Sequence, residues 1–250
     1  MQDQEMVDRK PWYMAKGWLT ASAVFIGALA AAGVYLVVTQ DAQPGGAVTA
    51  SSPSPAVPKV SSSPAEGDSV CGLEAGDQTV PESAPATSWD LVGKVAAPSV
   101  EGSGPGVVDD DGFRYCFAHS PTGALVAAAT QLPMSANEST AKQWMDKSVA
   151  DSPERDEELQ AMTDPARVKD FVAAGTARGV PQLRAFRFIS YDQTSAVVDL
   201  VVEYPDGMVA IPSEMTWQDG DWRYQPPASG RLAADTVRTL DGYVEWSGVS

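Results

Sequence analysis

The first feature of the hydrophobic pattern is an unbroken apolar run near the amino end. Residues 17–38 read GWLTASAVFIGALAAAGVYLVV and contain no charged side chain. As a helix rising about 1.5 Å per residue, the run is roughly 33 Å long, enough to cross a hydrocarbon core of about 30 Å. Trp12, Tyr13 and Trp18 border one end and Tyr35 lies near the other, as interfacial aromatic residues do. The pattern predicts a transmembrane helix over residues 17–38, in contact with the lipid bilayer.

Basic residues set the expected orientation of this helix. Arg9, Lys10 and Lys16 precede the apolar run. The positive-inside rule therefore predicts that residues 1–16 are a cytoplasmic tail and that the rest of the chain lies outside a single-pass cell-membrane anchor. A cleaved signal peptide is the alternative, with AVTA at residues 47–50 as the cleavage site. The run is too long for a signal sequence and that site lies well beyond it, which favours an uncleaved anchor.

The next segment, residues 39–70, shows no apolar periodicity. It is rich in proline, serine, alanine and glycine. Such a composition buries too little apolar surface to offset the entropy of folding. The sequence predicts a disordered stalk that holds a domain clear of the membrane.

Helical patterns begin at Ser120. Ser120 and Pro121 suit the capping and first positions of a helix. Residues 123–132 that follow are apolar on nearly every side, which is typical of a helix buried in a core. The spacing of Ser135 and Glu138 matches a capping box and predicts a second helix over residues 136–150.

Two further helices are predicted from caps and charge. The charged stretch PERDEELQAM, residues 153–162, is typical of a solvent-exposed helix. Asp164 and Pro165 predict the start of a fourth helix, which Gly179 is expected to end.

After Val180 the apolar positions alternate, which predicts strands. The expected strands are QLRAFRFISYD (182–192), AVVDLVVEY (196–204), MVAIPSEMTWQ (208–218) and DWRYQ (221–225), and an earlier strand-like piece is WDLVGKVAAP (89–98). Turns are expected at Pro205–Gly207 and Asp219–Gly220. Helices followed by an antiparallel meander predict an α+β domain, with helices packed on a curved antiparallel sheet. This domain is expected over residues 71–230, with residues 231–250 as a carboxyl-terminal extension whose role the sequence leaves open.

Charge narrows the classes of partner. The chain has 33 acidic and 17 basic residues, a formal net charge of −16. Nucleic-acid binding requires a basic patch, and no cluster of basic residues is present in the sequence, so nucleic acid is not an expected partner. The acidity is typical of a soluble surface.

Cys71 and Cys116 are the two cysteines. They lack the close spacing of a metal site, and the chain has one histidine. Because cysteines outside the membrane usually pair, the sequence predicts a Cys71–Cys116 disulfide. Closing this loop stabilises a fold by about 4 kcal/mol in the chain-entropy model.

Three positions carry side chains that could take part in chemistry. His119 follows Cys116 closely, but no partner base or nucleophile is recognisable, so a packed or surface histidine is predicted. Asp199 interrupts an apolar strand, and its alternation predicts an exposed residue. Asp109–Gly112 matches no calcium motif and suits an acidic turn. The sequence therefore predicts no catalytic residue, cofactor or metal site.

The order of elements and the closing pattern MTWQDGDWRYQPP, Met215–Pro227, resemble the cone-shaped nuclear transport factor 2-like (cystatin-like) superfamily. The resemblance covers roughly residues 89–227. The stretch CFAHSPTGALVAAATQLP, Cys116–Pro133, is similar to an actinobacterial membrane family of mobile elements. With its short tail, anchor and external domain, the chain resembles the bitopic subunits of type IV secretion and conjugation machines.

This resemblance implies a non-catalytic, membrane-anchored extracytoplasmic assembly subunit whose partners are other membrane or secretion proteins. One alternative is a sensor that binds a small molecule or cell-wall component in the cone. Another is a cone-pocket enzyme of isomerase type, which requires a buried carboxylate or histidine with a raised pKa. The chain lacks an evident acid/base pair for that chemistry, which favours a protein that is not an enzyme.

Overall fold

The computed structural model describes residues 69–228 and 233–248. Its elements are β1 (Ser88–Val92), β2 (Val95–Ser99), β3 (Val107–Val108), β4 (Arg114–Tyr115), α1 (Pro121–Ser135), α2 (Ala141–Lys147), α3 (Pro153–Ala161), α4 (Pro165–Gly175), β5 (Gln182–Tyr191), β6 (Ser195–Tyr204), β7 (Gly207–Gln218), β8 (Asp221–Tyr224), β9 (Asp235–Val237) and β10 (Val244–Glu245). Within these residues, four helices precede the main sheet, which confirms the predicted α+β class.

The predicted cytoplasmic tail (1–16), the predicted transmembrane helix (17–38) and residues 39–68 of the predicted stalk lie outside the described residues. Ser69, which the prediction placed in the stalk, is buried, and its hydroxyl accepts the Leu73 amide at 2.7 Å. None of the helices within the described ranges is long and apolar enough to cross a membrane.

The main sheet has the strand order β10-β5-β6-β7-β8, and β9 also pairs with β7. All of these pairings are antiparallel. The hairpin turns fall at the predicted positions, since Tyr204 pairs with Gly207 and Gln218 pairs with Asp221. Asp219 adopts a left-handed conformation with φ of 54° in the second turn, as aspartate often does in tight hairpins. The strand-like piece at residues 89–98 forms a separate hairpin of β1 and β2.

Helix α1 is buried against one face of the sheet, which is called the inner face here. Its amino end is capped as predicted: the Ser120 hydroxyl accepts a 3.0 Å hydrogen bond from the Gly123 amide, and Pro121 occupies the first turn. Leu125 is fully buried in one cluster with Val198 and Leu200 of β6. The opening of α1 therefore follows from its local sequence, and its apolar surface forms the centre of the core.

The predicted capping box at Ser135 is wrong. Ser135 is the last residue of α1, and its hydroxyl donates to the carbonyl of Gln131 at 2.7 Å instead of capping a new helix. α2 begins later, at Ala141. The physical reason is burial: extending α1 through Met134 places that side chain in a second core cluster with Trp144, which outweighs a local capping preference.

The third and fourth helices form close to their predicted positions. Ser152 caps α3, in which no residue is buried, and Asp164 caps α4 through the Ala166 amide at 2.9 Å. α4 ends at Gly175, before the predicted end at Gly179. The Thr176 hydroxyl donates to the Val172 carbonyl at 2.8 Å and so closes the last turn of α4.

The carboxyl-terminal segment adds two strands to the sheet. β9 pairs with β7, with Thr236 opposite Val209, and β10 pairs with β5, with Val244 opposite Phe186. Trp246 is buried in the inner core and donates its indole N–H to the Thr87 hydroxyl at 2.8 Å. On the other, outer face, an apolar cluster joins the sheet to the segment, and its members are Ala185, Val201, Met208, Ala210, Val237, Leu240 and Tyr243. The described part of residues 231–250 thus covers part of the outer face of the sheet.

Candidate functional site

The predicted disulfide is confirmed and lies at the corner between β4 and α1. Cys71 and Cys116 are bonded, with their Cα atoms 6.0 Å apart. Cys116 adopts a left-handed backbone conformation with φ of 67°, which is uncommon for a residue with a side chain. The hydroxyl of buried Ser69 lies 3.1 Å from Cys116 Sγ. The disulfide therefore ties the first described residues to the corner that precedes α1.

Asp221, the first residue of β8, holds the same corner from the other side. Its carboxylate accepts backbone N–H groups from Cys116 at 2.7 Å and Phe117 at 2.8 Å, and also its neighbour Trp222 at 2.9 Å. Burial raises the pKa of Asp221 to about 6, while these hydrogen bonds and the charge of Arg223 act in the opposite direction. Because every one of these contacts is to backbone, the carboxylate serves to fix the unusual conformation of Cys116.

His119 is fixed by packing. Its ring stacks on Trp217, with centroids 4.0 Å apart and planes inclined by 9°. Its Nε2 atom is hydrogen bonded to the carbonyl of Gln193 in the turn between β5 and β6. These contacts to an indole ring and a backbone carbonyl agree with the predicted packed histidine. Among the described residues, neither contact is with an acidic or nucleophilic side chain. The arrangement can anchor α1 to one end of the sheet.

Asp199 is not exposed, contrary to the prediction from its alternation. It is 5% exposed, and its Oδ2 atom accepts hydrogen bonds from Arg187 and from the Tyr243 hydroxyl, both at 2.7 Å. Arg187 also stacks over the Tyr243 ring at 4.4 Å. Burial and the neighbouring carboxylate raise the pKa of the Tyr243 hydroxyl. The Asp199 carboxylate thus accepts two hydrogen bonds. Together, Asp199, Arg187 and Tyr243 attach the carboxyl-terminal segment to the outer face of the sheet.

The acidic turn Asp109–Gly112 makes contacts within the protein. The Asp111 carboxylate accepts the Phe113 amide at 3.1 Å and the Gln143 side chain at 2.7 Å. Asp109 lies 3.9 Å from Lys147. Within the described ranges, no group of three or more acidic, histidine or cysteine side chains is arranged to hold a metal ion. The turn therefore anchors β4 to α2.

A small cavity lies between α1 and the sheet. The cavity there has a volume of about 10 Å³ and is lined by residues of α1, α2, β4 and β7, together with Phe117, Ser148 and Trp222. A larger depression of about 520 Å³ is open to solvent between α2 and α3, and its lining includes Lys142, Asp146, Asp156 and Leu159. The inner cavity is far smaller than the roughly 300–1,000 Å³ of a typical small-molecule site.

The two most exposed large apolar side chains on the described strands are Leu91 and Ile189. Leu91 in β1 is 71% exposed and Ile189 in β5 is 58% exposed. Single exposed apolar residues are ordinary and do not by themselves indicate an interface. Substitutions at these two positions can nevertheless test for contact with another protein.

Sequence reasoning did not single out Asp221 or Arg114. Arg114 is buried and donates to Asp90 and to Ser99, both at 2.9 Å. Both residues lie in short strands beside turn residues, where charged residues are usually solvated. Their partners are distant in sequence, so no spacing rule identifies them.

Comparison with known proteins connects most of the chain to one family. The family model described as Domain of unknown function (DUF8175) matches residues 50–245. No curated protein and no solved structure matches the chain significantly. The chain therefore belongs to the DUF8175 family.

Proposed function

We propose that this protein is a non-catalytic, membrane-anchored assembly subunit, with a nuclear transport factor 2-like domain that binds other membrane proteins of a conjugation or secretion apparatus. The observation that carries this proposal is the small size of the cavity between α1 and the sheet. An enzyme or sensor that uses the cone as a pocket needs room for its ligand, and a cavity of about 10 Å³ offers none to a molecule larger than water.

The chemistry of the polar residues supports the same interpretation. His119 contacts an aromatic ring and a backbone carbonyl, Asp221 accepts backbone amides, and Asp199 is occupied by Arg187 and Tyr243. Each group is engaged in holding the fold together. Acid/base catalysis in the cone instead needs a titratable side chain that faces a space inside the cone where substrate can bind.

The proposed location rests on the apolar run and on the disulfide. Residues 17–38 are long enough to span a bilayer. A disulfide between Cys71 and Cys116 is typical of an oxidising compartment outside the cytoplasm. In intact protoplasts, external protease should therefore remove residues 71–250 and leave residues 1–16 protected. A soluble mature protein that begins near Ser51 would contradict the anchor.

Assembly is tested with the full-length protein in its native membranes. Native electrophoresis after mild solubilisation should show it in a complex well above its own 26.3 kDa. Leu91→Asp is the probe, because a side chain that is 71% exposed can be charged with little effect on folding. Glu157→Gln, on the exposed surface of α3, is the matched control.

If the β1–β2 hairpin contacts a partner, Leu91→Asp should shift the protein out of the complex while its melting temperature stays unchanged, and Glu157→Gln should remain in the complex. Wild-type protein that is monomeric in native membranes would refute the assembly function itself. If the complex persists in Leu91→Asp, the contact with the partner lies on another surface of the protein.

A further inference from the structure

Polar residues are among those that line the small cavity between α1 and the sheet. Three of its lining residues each place one buried polar atom without a hydrogen-bond partner among the described residues: Arg114 Nε, Thr130 Oγ1 and Trp144 Nε1. All three side chains belong to residues that are more than nine-tenths buried. They come from β4, α1 and α2, respectively, so three separate elements meet at this point.

The hydrogen bonds that these side chains make elsewhere leave the three atoms without a partner. Arg114 uses its two terminal nitrogens to contact Ser99 and Asp90, which leaves the Nε–H group. The indole of Trp144 has a single donor, and that donor is the atom without a partner. Buried polar groups in proteins are almost always satisfied by protein or by ordered water.

We infer that this cavity binds one water molecule that joins Arg114, Thr130 and Trp144. A water oxygen accepts hydrogen bonds from the two N–H groups, and one of its hydrogens can be donated to the threonine hydroxyl. A volume of about 10 Å³ is at the lower limit for holding a single water, which needs two to four polar partners. The site thus connects α1, α2 and β4 through a solvent molecule inside the core.

A small anion is the competing ligand, because both nitrogens are donors and Arg114 carries a positive charge. The geometry favours water on two grounds. The guanidinium is already paired with the Asp90 carboxylate at 2.9 Å, so little uncompensated charge remains to attract an anion. A chloride ion is also larger than a water molecule, and the cavity has space for about one water.

The test uses the full-length protein in detergent micelles, with ¹⁵N-labelled tryptophan indoles observed by NMR. The Trp144 indole N–H should show a cross-peak to a long-lived water. Trp222 is the comparison, since it also lines the cavity but its buried indole donates to the Ala118 carbonyl at 3.0 Å, so its cross-peak to this water should be weaker than that of Trp144. Trp144→Phe assigns the signal. A Trp144 indole that behaves like that of Trp222 would overturn the inference.

Thr130→Val tests the third partner, because it replaces the hydroxyl with a methyl group of similar size and should still fold. The Trp144 cross-peak should weaken in this variant, because the water keeps only two polar partners; an unchanged cross-peak would overturn the three-partner site. Melting in sodium chloride and in sodium acetate at equal ionic strength distinguishes the ligands. Equal melting temperatures are expected, whereas a saturable increase with chloride that disappears in Thr130→Val would replace the water with a halide.

Discussion

The close contact between Gly123 and the preceding corner leads to a sharp prediction about stability. A Cβ atom built on Gly123 would lie 1.9 Å from the Ala118 carbonyl oxygen and 2.8 Å from its carbonyl carbon. That oxygen accepts hydrogen bonds from the Ser120 amide at 2.8 Å and from the Trp222 indole at 3.0 Å. Gly123→Ala must therefore push the first turn of α1 away from the corner.

The cost has two parts. Overpacking of a well-filled core costs about 1–3 kcal/mol. Displacing the Ala118 carbonyl also leaves the buried Trp222 indole N–H unpaired, which costs about 1–3 kcal/mol more. We therefore expect Gly123→Ala to lower the free energy of unfolding by about 4 kcal/mol, a large part of the total of about 5–15 kcal/mol for a typical domain.

Gly175→Ala is the matched control, because Gly175 is also a helical glycine and nothing lies within 4 Å of the position that an added Cβ atom would take. It should raise stability by up to about 1 kcal/mol, since alanine favours helix more than glycine does. Urea denaturation of the full-length protein, followed by tryptophan fluorescence, measures both variants. With a slope of about 2 kcal/mol per molar urea, the Gly123→Ala midpoint should fall by about 2 M.

A Gly123→Ala protein that unfolds at the wild-type midpoint would show that α1 does not approach the corner this closely. Equal destabilisation by Gly175→Ala would show that loss of glycine in a helix, and not the contact with Ala118, is responsible.

Three further predictions concern the disulfide, His119 and Asp221. Replacing Cys71 and Cys116 together with alanine should cost about 4 kcal/mol, because the bridge closes a loop with a sequence separation of 45 residues; a reduced wild type as stable as the oxidised one in urea would contradict this. His119→Gln should lower the free energy of unfolding by about 1 kcal/mol, and the variant should still restore function to cells that lack the wild-type protein. Lost function with an unchanged melting temperature would assign His119 a chemical or binding role. The pKa of Asp221 is raised from 3.8 to about 6 in the folded protein, so its contribution to stability is fully present below about pH 4. That contribution is lost as the pH rises to about 6, by at most about 3 kcal/mol, and pH-dependent urea unfolding of wild type and Asp221→Asn should show this decrease in the wild type alone.

The local sequence was sufficient for the features that depend on neighbouring residues. Ser120 and Pro121 identify the start of α1, because capping involves atoms three residues apart. Apolar residues at alternate positions identify β6 and β7, and the turn residues between them set their register. The disulfide was also predictable, since the sequence contains two cysteines and the predicted location outside the membrane favours their pairing.

Only the tertiary structure decided which polar residues are buried and which groups form hydrogen bonds with them. Asp199 looks exposed in the alternation of β6, but Tyr243 and the carboxyl-terminal segment cover that face. Asp221 reads as an ordinary turn residue, although its carboxylate fixes the backbone at Cys116, far away in the chain. Such partners are brought together by packing of the whole domain, and the energy of a buried polar group depends on the atoms around it in space and not on its neighbours in sequence.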